Sequence, residues 1–236
     1  MKLSTLNSKL NLLAVGSNAK TIKGDDDNQL TAILYLAPST NSGYNTCPKA
    51  SPGCTAACLY TAGRGKFSSV QNARIRKTKL FFEDRDTFLK QLHSDISLFE
   101  TYCKDNTIKP FIRLNGTSDI SWEKYGIFEK YPDIQFYDYT KILNRKISKY
   151  PNYHLTFSRS ENTPDSDIIR AFKQNMNTTV VFKDEIAVIW KIQSKEYKVI
   201  DGDTNDLRPL DENNVIVALK AKGDAKKDTS GFVIYG

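Results

Sequence analysis

The chain has 236 residues, 39% hydrophobic and 11% aromatic, enough to build a sizeable globular core. No apolar run approaches the ~18 residues of a membrane-spanning helix. The N-terminal stretch MKLSTLNSKLNLLAVGSNAK lacks both a long apolar segment and a small-residue cleavage site, so the reading is cytoplasmic, with no membrane partner. The formal charge of +7 permits a nucleic-acid partner without requiring one.

Residues 1–29 read as an extension packed on or beside a single α/β domain spanning 1–236, with KGDDDNQ as a short acidic turn. LTAILYLAP, stopped by Pro38, reads as a buried strand. A long loop follows, and then SSVQNARIRKTKLFFE, a helix with Ser68 or Ser69 as its cap. DRDTFLKQLHSDISLFETYCKDN is a stronger helix: Asp86 suits a cap, and Phe88, Leu89, Leu92, Ile96 and Phe99 form one apolar stripe. KPFIRLNG is a strand, SWEKYGIFEKY a helix, and DIQFYDYTK and NYHLTFSRS are strands. TPDSDIIRAFKQN is a helix with Pro164 near its start. TTVVFK and NNVIVALKAKG are strands, and KVIDGDTNDLRPLD holds a short strand and an acidic loop.

Strands separated by helices imply right-handed crossovers and a parallel sheet. The expectation is a partial (β/α) barrel of about six or seven mostly parallel strands, an open doubly wound sheet being the alternative. No G-x-G-x-x-G fingerprint follows the first strand. Sites in such folds gather at the C-terminal strand ends, and those ends are polar here. They offer Arg113, Asn115, Ser118 and Asp119, then Tyr137, Tyr139 and Lys141, then Ser158, Arg159 and Glu161, and late in the chain Asp201, Asp203 and Asp206. Arg113 and Asp119 also suit a simple ion pair, and the two tyrosines suit barrel filling.

The first strand leads into NTCPKASPGCTAACLYTAGRG, where Cys47, Cys54 and Cys58 are spaced C-x6-C-x3-C. The chain's two histidines, His93 and His154, lie far away in sequence, so zinc lacks a regular fourth ligand. Three thiolates on one bent loop suit a [4Fe–4S] cluster with one open iron. Zinc and three reduced thiols are the alternatives. Cys103, at the far end of a returning helix, belongs on the opposite side of the sheet.

These residues carry a resemblance. The cysteine loop, ARIRKT, RLNGTSDISWE, FYDYTK, NYHLTFSRSE, VIDGD, DLRPLD and LKAKG resemble a group of phage and prophage proteins, in the same order from about Leu30 to Phe232. More distantly, the chain is similar to radical S-adenosylmethionine enzymes, partial barrels with a three-cysteine loop after the first strand, whose motif is C-x3-C-x2-C. That likeness implies a cluster on Cys47, Cys54 and Cys58, S-adenosylmethionine or another small molecule at the open iron, and a radical-type reaction. Asn115 and Ser158 would help hold the cofactor, and Arg113, Asp119, Tyr139 and Lys141 would line the catalytic pocket. Two other functions are open. One is nucleic-acid binding through Arg64, Lys66, Arg74, Arg76, Lys77 and Lys79, with a structural cluster or zinc. The other is a metal-dependent nuclease using Asp119, Asp201, Asp203 and Asp206.

Overall fold

The structure is a computed structural model that describes residues 1–16, 28–186 and 188–235. Most of the expected acidic turn, Lys23–Asp27, lies outside them. The frame is α/β: strands β2 (Gln29–Leu34), β3 (Lys109–Arg113), β4 (Gln135–Thr140), β5 (Tyr153–Ser158), β6 (Thr178–Phe182), β9 (Ile216–Lys220) and β8 (Lys195–Asp201) run parallel in that spatial order. Antiparallel strands flank this run, β1 (Leu13–Val15) on β2 and β7 (Ile189–Ile192) on β8. The sheet is therefore mixed and mostly parallel, and it stays open. Its seven-strand parallel run matches the expected size, but the short edge strands were not foreseen. A last strand, β10 (Val233–Ile234), pairs with β6 beside Val181 and Phe182, past the point where β5 leaves it.

The helices are α1 (Leu3–Lys9), α2 (Pro52–Ala56), α3 (Ser68–Glu83), α4 (Arg85–Asp105), α5 (Ile127–Lys130) and α6 (Asp165–Lys173). Helix α4 has the foreseen stripe, with Phe88, Leu92, Ile96 and Phe99 fully buried. Its cap is Asp84, which accepts from Thr87 N, and not Asp86. Helix α3 starts after Phe67 with no side-chain cap, so neither Ser68 nor Ser69 serves. The helix expected over SWEKYGIFEKY is broken: Gly126 is left-handed (φ 66°), splitting a 3-10 turn at Trp122–Tyr125 from α5.

Strand alternation divides the side chains cleanly. Ala32, Leu34, Ile112, Leu114, Phe136, Leu155 and Phe157 face the helices and share one core with Phe81, Phe88, Trp122 and Phe128. Cys103 is fully buried in that core, remote from the loop at the strand ends. The same face continues through Val180, Phe182, Ile216 and Ala218 onto α6. The register puts Thr31, Phe111, Arg113, Tyr137, Tyr139, His154, Thr156 and Ser158 on the other face. That face is capped by Asp206, Leu207 and Arg208 from the crossover after β8. At the first edge the Asp95 carboxylate of α4 accepts from Asn11, Leu12 and Leu13 N–H groups, and Lys77 Nζ donates to Leu12 O. Those bonds act together with the β1–β2 ladder and with buried Leu6, Leu12, Leu13 and Val15 to hold the N-terminal segment on the sheet. Among the described residues no helix is long and apolar enough to cross a membrane.

Candidate functional site

Four strand ends are sewn into one polar mouth. After β2 the loop folds back so that Thr46 Oγ1 donates to Ala37 O at 2.7 Å and Asp119 N donates to Thr46 O at 2.8 Å. Thr117, after β3, donates through Oγ1 to Leu36 O at 2.6 Å. Asp119 in turn accepts from Thr140 Oγ1 at 2.7 Å and from Lys141 N at 2.8 Å, joining the ends of β3 and β4. Lys141 Nζ reaches across to the end of β5 and donates to Ser158 O, Ser158 Oγ and Arg159 O, each at 3.1 Å. Glu161 closes the circuit: its carboxylate accepts from Ser51 Oγ at 2.6 Å and Gly53 N at 2.7 Å. Ser51 Oγ caps α2 by accepting from Cys54 N at 3.1 Å.

All four cysteines are free thiols, and the loop trio is half-buried. The three loop thiols feel one another's charge, yet each is held by its own neighbours. Cys47 Sγ accepts from Ser39 N at 3.4 Å and faces Thr117 O at 3.8 Å. The Lys141 ammonium lies near enough to Cys54 to favour its thiolate. Cys58 is influenced by Arg74. Burial pushes all three thiols up, Cys58 to about 11, while Lys141 pulls Cys54 partly back down. Burial also lowers Lys141, against the opposing pull of Cys54, Asp119 and Glu161.

This arrangement overturns the cluster. Among the described residues no group of three or more His, Cys, Asp or Glu side chains is placed to hold a metal ion. Cys47 Sγ sits in a backbone cradle, Lys141 favours the charge of Cys54, and a Tyr60 backbone bond favours that of Cys58, so each thiol has its own environment. The [4Fe–4S] cluster, the open iron with its small-molecule partner, the S-adenosylmethionine expected there and the likeness to radical enzymes are corrected with it, as is zinc. The metal-dependent nuclease falls on the same finding, because its carboxylates are dispersed. Asp206 pairs with Arg113 at 2.5 Å, Asp203 holds Lys220 N and Lys222 Nζ, and Asp201 accepts from Asp203 N.

The nucleic-acid surface is corrected too. Lys77 is bonded to Leu12 O, and Arg74 lies over the Tyr35 and Tyr60 rings, so α3 turns two of the expected phosphate contacts inward. Arg64, Lys66, Arg76 and Lys79 remain exposed, so the expected set of six is split between the two sides of α3 and the loop before it. Elsewhere Arg113, Arg145 and Arg208 are consumed by internal ion pairs.

The remaining expected site residues separate into two groups. Asp119, Lys141 and Ser158 converge at the mouth with Cys54. Arg113 and Tyr139 lie on the capped face, where Asp206 accepts from Arg113, Tyr137 and Tyr139. Arg113 and Asp119 do not pair with each other; Asp119 takes Arg145 instead, at 3.5 Å. Asn115 is a hub whose Oδ1 accepts from Ser118 Oγ, Ile120 N and Trp122 Nε1. Sequence reasoning gave no site role to Ser51, Tyr35 or Tyr60, and Glu161 was no more than one polar residue among many. Arg74 had a local signal: Arg74, Thr78 and Phe81 follow helical i, i+4, i+7 spacing, with the latter two buried.

No curated protein and no solved structure matches this chain. The alignment that does exist is to a family of phage gene products and takes in the mouth, the capped face and the last strand together. Residues 6–236 match the model of the Gene product 88 family, and the chain belongs to that family.

Proposed function

We propose that the chain is a single α/β domain built as a partial (β/α) barrel, and that its strand-end mouth is a thiol-centred site for a small molecule. Cys54 is the nucleophile and Lys141 its charge partner. Asp119 and Glu161 hold Lys141 and the cysteine loop in place, and Asn115 and Ser158 fix the turns that carry them. Arg113 and Tyr139 form the floor beneath. Cys47 and Cys58 are auxiliary thiols in the same pocket. The protein works in the cytoplasm of the host cell, where thiols stay reduced.

One observation carries this reading: a half-buried lysine, fixed to the end of β5 by three hydrogen bonds, stands beside a half-buried thiol and favours its charged form. A thiol reacts as its thiolate, and an adjacent cation favours that form. Burial holds Cys54 protonated at rest, and the Lys141 ammonium lowers the cost of ionising it when a substrate displaces water. The Cys54 thiol gives its proton to water, and its thiolate adds to an electrophilic carbonyl carbon of the substrate, the C–S bond forming as the C=O π bond breaks and its electron pair passes to the oxygen.

The test is the pH dependence of iodoacetamide alkylation, mapped residue by residue by mass spectrometry, with buried Cys103 as the internal reference. In the native protein Cys54 is expected to react with a midpoint below that in Lys141→Met, and several-fold faster at pH 8. Coincident Cys54 profiles in the two proteins would overturn the assignment.

A further inference from the structure

Arg74 is the odd group at the mouth. It rises from α3 on the inward face of the helix, and its guanidinium lies 4.7 Å from the Tyr35 ring centroid and 5.8 Å from that of Tyr60. Its Nε and Nη1 are shielded from solvent and have no hydrogen-bond partner. No carboxylate among the described residues pairs with it. Every group that favours its charge is a tyrosine or the Cys58 thiol. The buried arginines each have a carboxylate, Arg113 with Asp206, Arg145 with Glu123 and Arg208 with Asp211, even though Arg113 Nε and Arg208 Nε are also unmatched; half-buried Arg74 has none among the described residues. A buried guanidinium normally finds an anion, because its fork of donors is costly to leave unmet and matches two oxygens at once. Aromatic rings steady its plane but cannot accept along the N–H directions.

We propose that Arg74, framed by Tyr35 and Tyr60 beside Cys58, is an oxyanion subsite that takes the carboxylate or phosphate group of the ligand bound in the mouth. The unpartnered Nε and Nη1 supply a two-point contact, and the tyrosine faces exclude water from it. This deepens the thiol-site reading by naming the chemical class of the substrate: a small molecule with an anionic group at one end and an electrophilic centre at the other. The anion sits against Arg74 and the reacting end faces Cys54 and Lys141.

The experiment uses Cys58 as a reporter in the full-length chain carrying Cys54→Ser, so the outcome is independent of whether Cys54 is the nucleophile. Alkylation of Cys58 is measured with iodoacetate, an anion, and with iodoacetamide, its neutral analogue. The ratio of the two rates cancels any change in the Cys58 thiolate fraction. It is expected to exceed the ratio for free cysteine about tenfold and to fall to the free-cysteine value in Arg74→Met. Arg74→Lys, which keeps the charge but loses the fork, is expected to fall between. A second measurement needs no Arg74 variant: inorganic phosphate or acetate should slow the iodoacetate reaction at Cys58. The proposal is overturned by a rate ratio equal to that of free cysteine, by a ratio unchanged in Arg74→Met, or by an absence of protection with both anions. An anion preference at Cys58 together with an unreactive Cys54 in the native chain would sink the nucleophile assignment and leave the subsite standing.

Discussion

Two polar clusters occupy the strand-rich side of this molecule, and they are finished differently. On the capped face each guanidinium meets a carboxylate, Arg113 with Asp206 and Arg208 with Asp211, and two tyrosine hydroxyls also bond to Asp206, while Arg113 Nε, His154 Nε2 and Thr156 Oγ1 are left unmatched. At the mouth the thiols are half-exposed, Lys141 is held by backbone oxygens beside a thiol, and Arg74 has donors with nothing to meet them. Burial makes an unmet polar group expensive. A guanidinium met by a carboxylate from within the chain works as structure, whereas one without a carboxylate partner invites an anion.

The sharpest way to break this contrast is to open the closed cluster. Asp206→Ala strands a buried guanidinium and should cost about 3–5 kcal/mol of stability in urea unfolding. A loss below 1 kcal/mol would show that the pair is not the keystone of that face. Asp138 comes next, on the helix-facing side of the sheet. It is buried against Asn115 N and Tyr153 Oη, and burial pushes its carboxyl up to about 7 from 3.8. The folded chain therefore keeps this proton between about pH 4 and 7 while the unfolded chain has released it. Stability should fall as pH rises through that window, with a slope approaching 1.4 kcal/mol per pH unit. Asp138→Asn should flatten the slope, and an unchanged slope would mean that another group sets it.

At the mouth the expected effects are smaller in stability and larger in reactivity. A Cβ at residue 53 would sit 2.2 Å from Ser230 Oγ and 2.8 Å from the Glu161 carboxylate. Gly53→Ala should cost about 1–3 kcal/mol, and it should uncouple Cys54 from Lys141, measured as a changed alkylation profile. Ser51→Ala, which removes the α2 cap, should cost about 1 kcal/mol in the same unfolding assay. If both mouth variants destabilise the chain as much as Asp206→Ala does, the mouth is a structural keystone and the contrast fails.

Much of the frame was legible in the sequence because its signals are local. The apolar runs of β2, β3 and β6 and the stripe on α4 depend on near neighbours. So does the polarity of each strand end, which placed Asp119, Lys141 and Ser158 where they meet. Partnerships made across the chain were not legible. Asp206 stands 93 residues from Arg113, and nothing near either residue announces the pair. Glu161 and Gly53 lie 108 residues apart. The cysteine spacing misled for a related reason: nearness along a loop does not by itself bring three thiols into a group that can hold a metal ion. Gly126 was in plain view, but a single glycine inside a helical pattern does not declare a left-handed turn.

The β10 strand has a practical consequence. It continues the line of β5 along one edge of β6, so two distant pieces of chain share that edge. Arg159 Nη1 donates to Gly231 O and Phe232 O, and the Phe232 ring lies 5.1 Å from Lys141 Nζ. A protease nick between Lys227 and Gly231 would therefore unfasten one wall of the reactive cleft while leaving the helix-packed core intact.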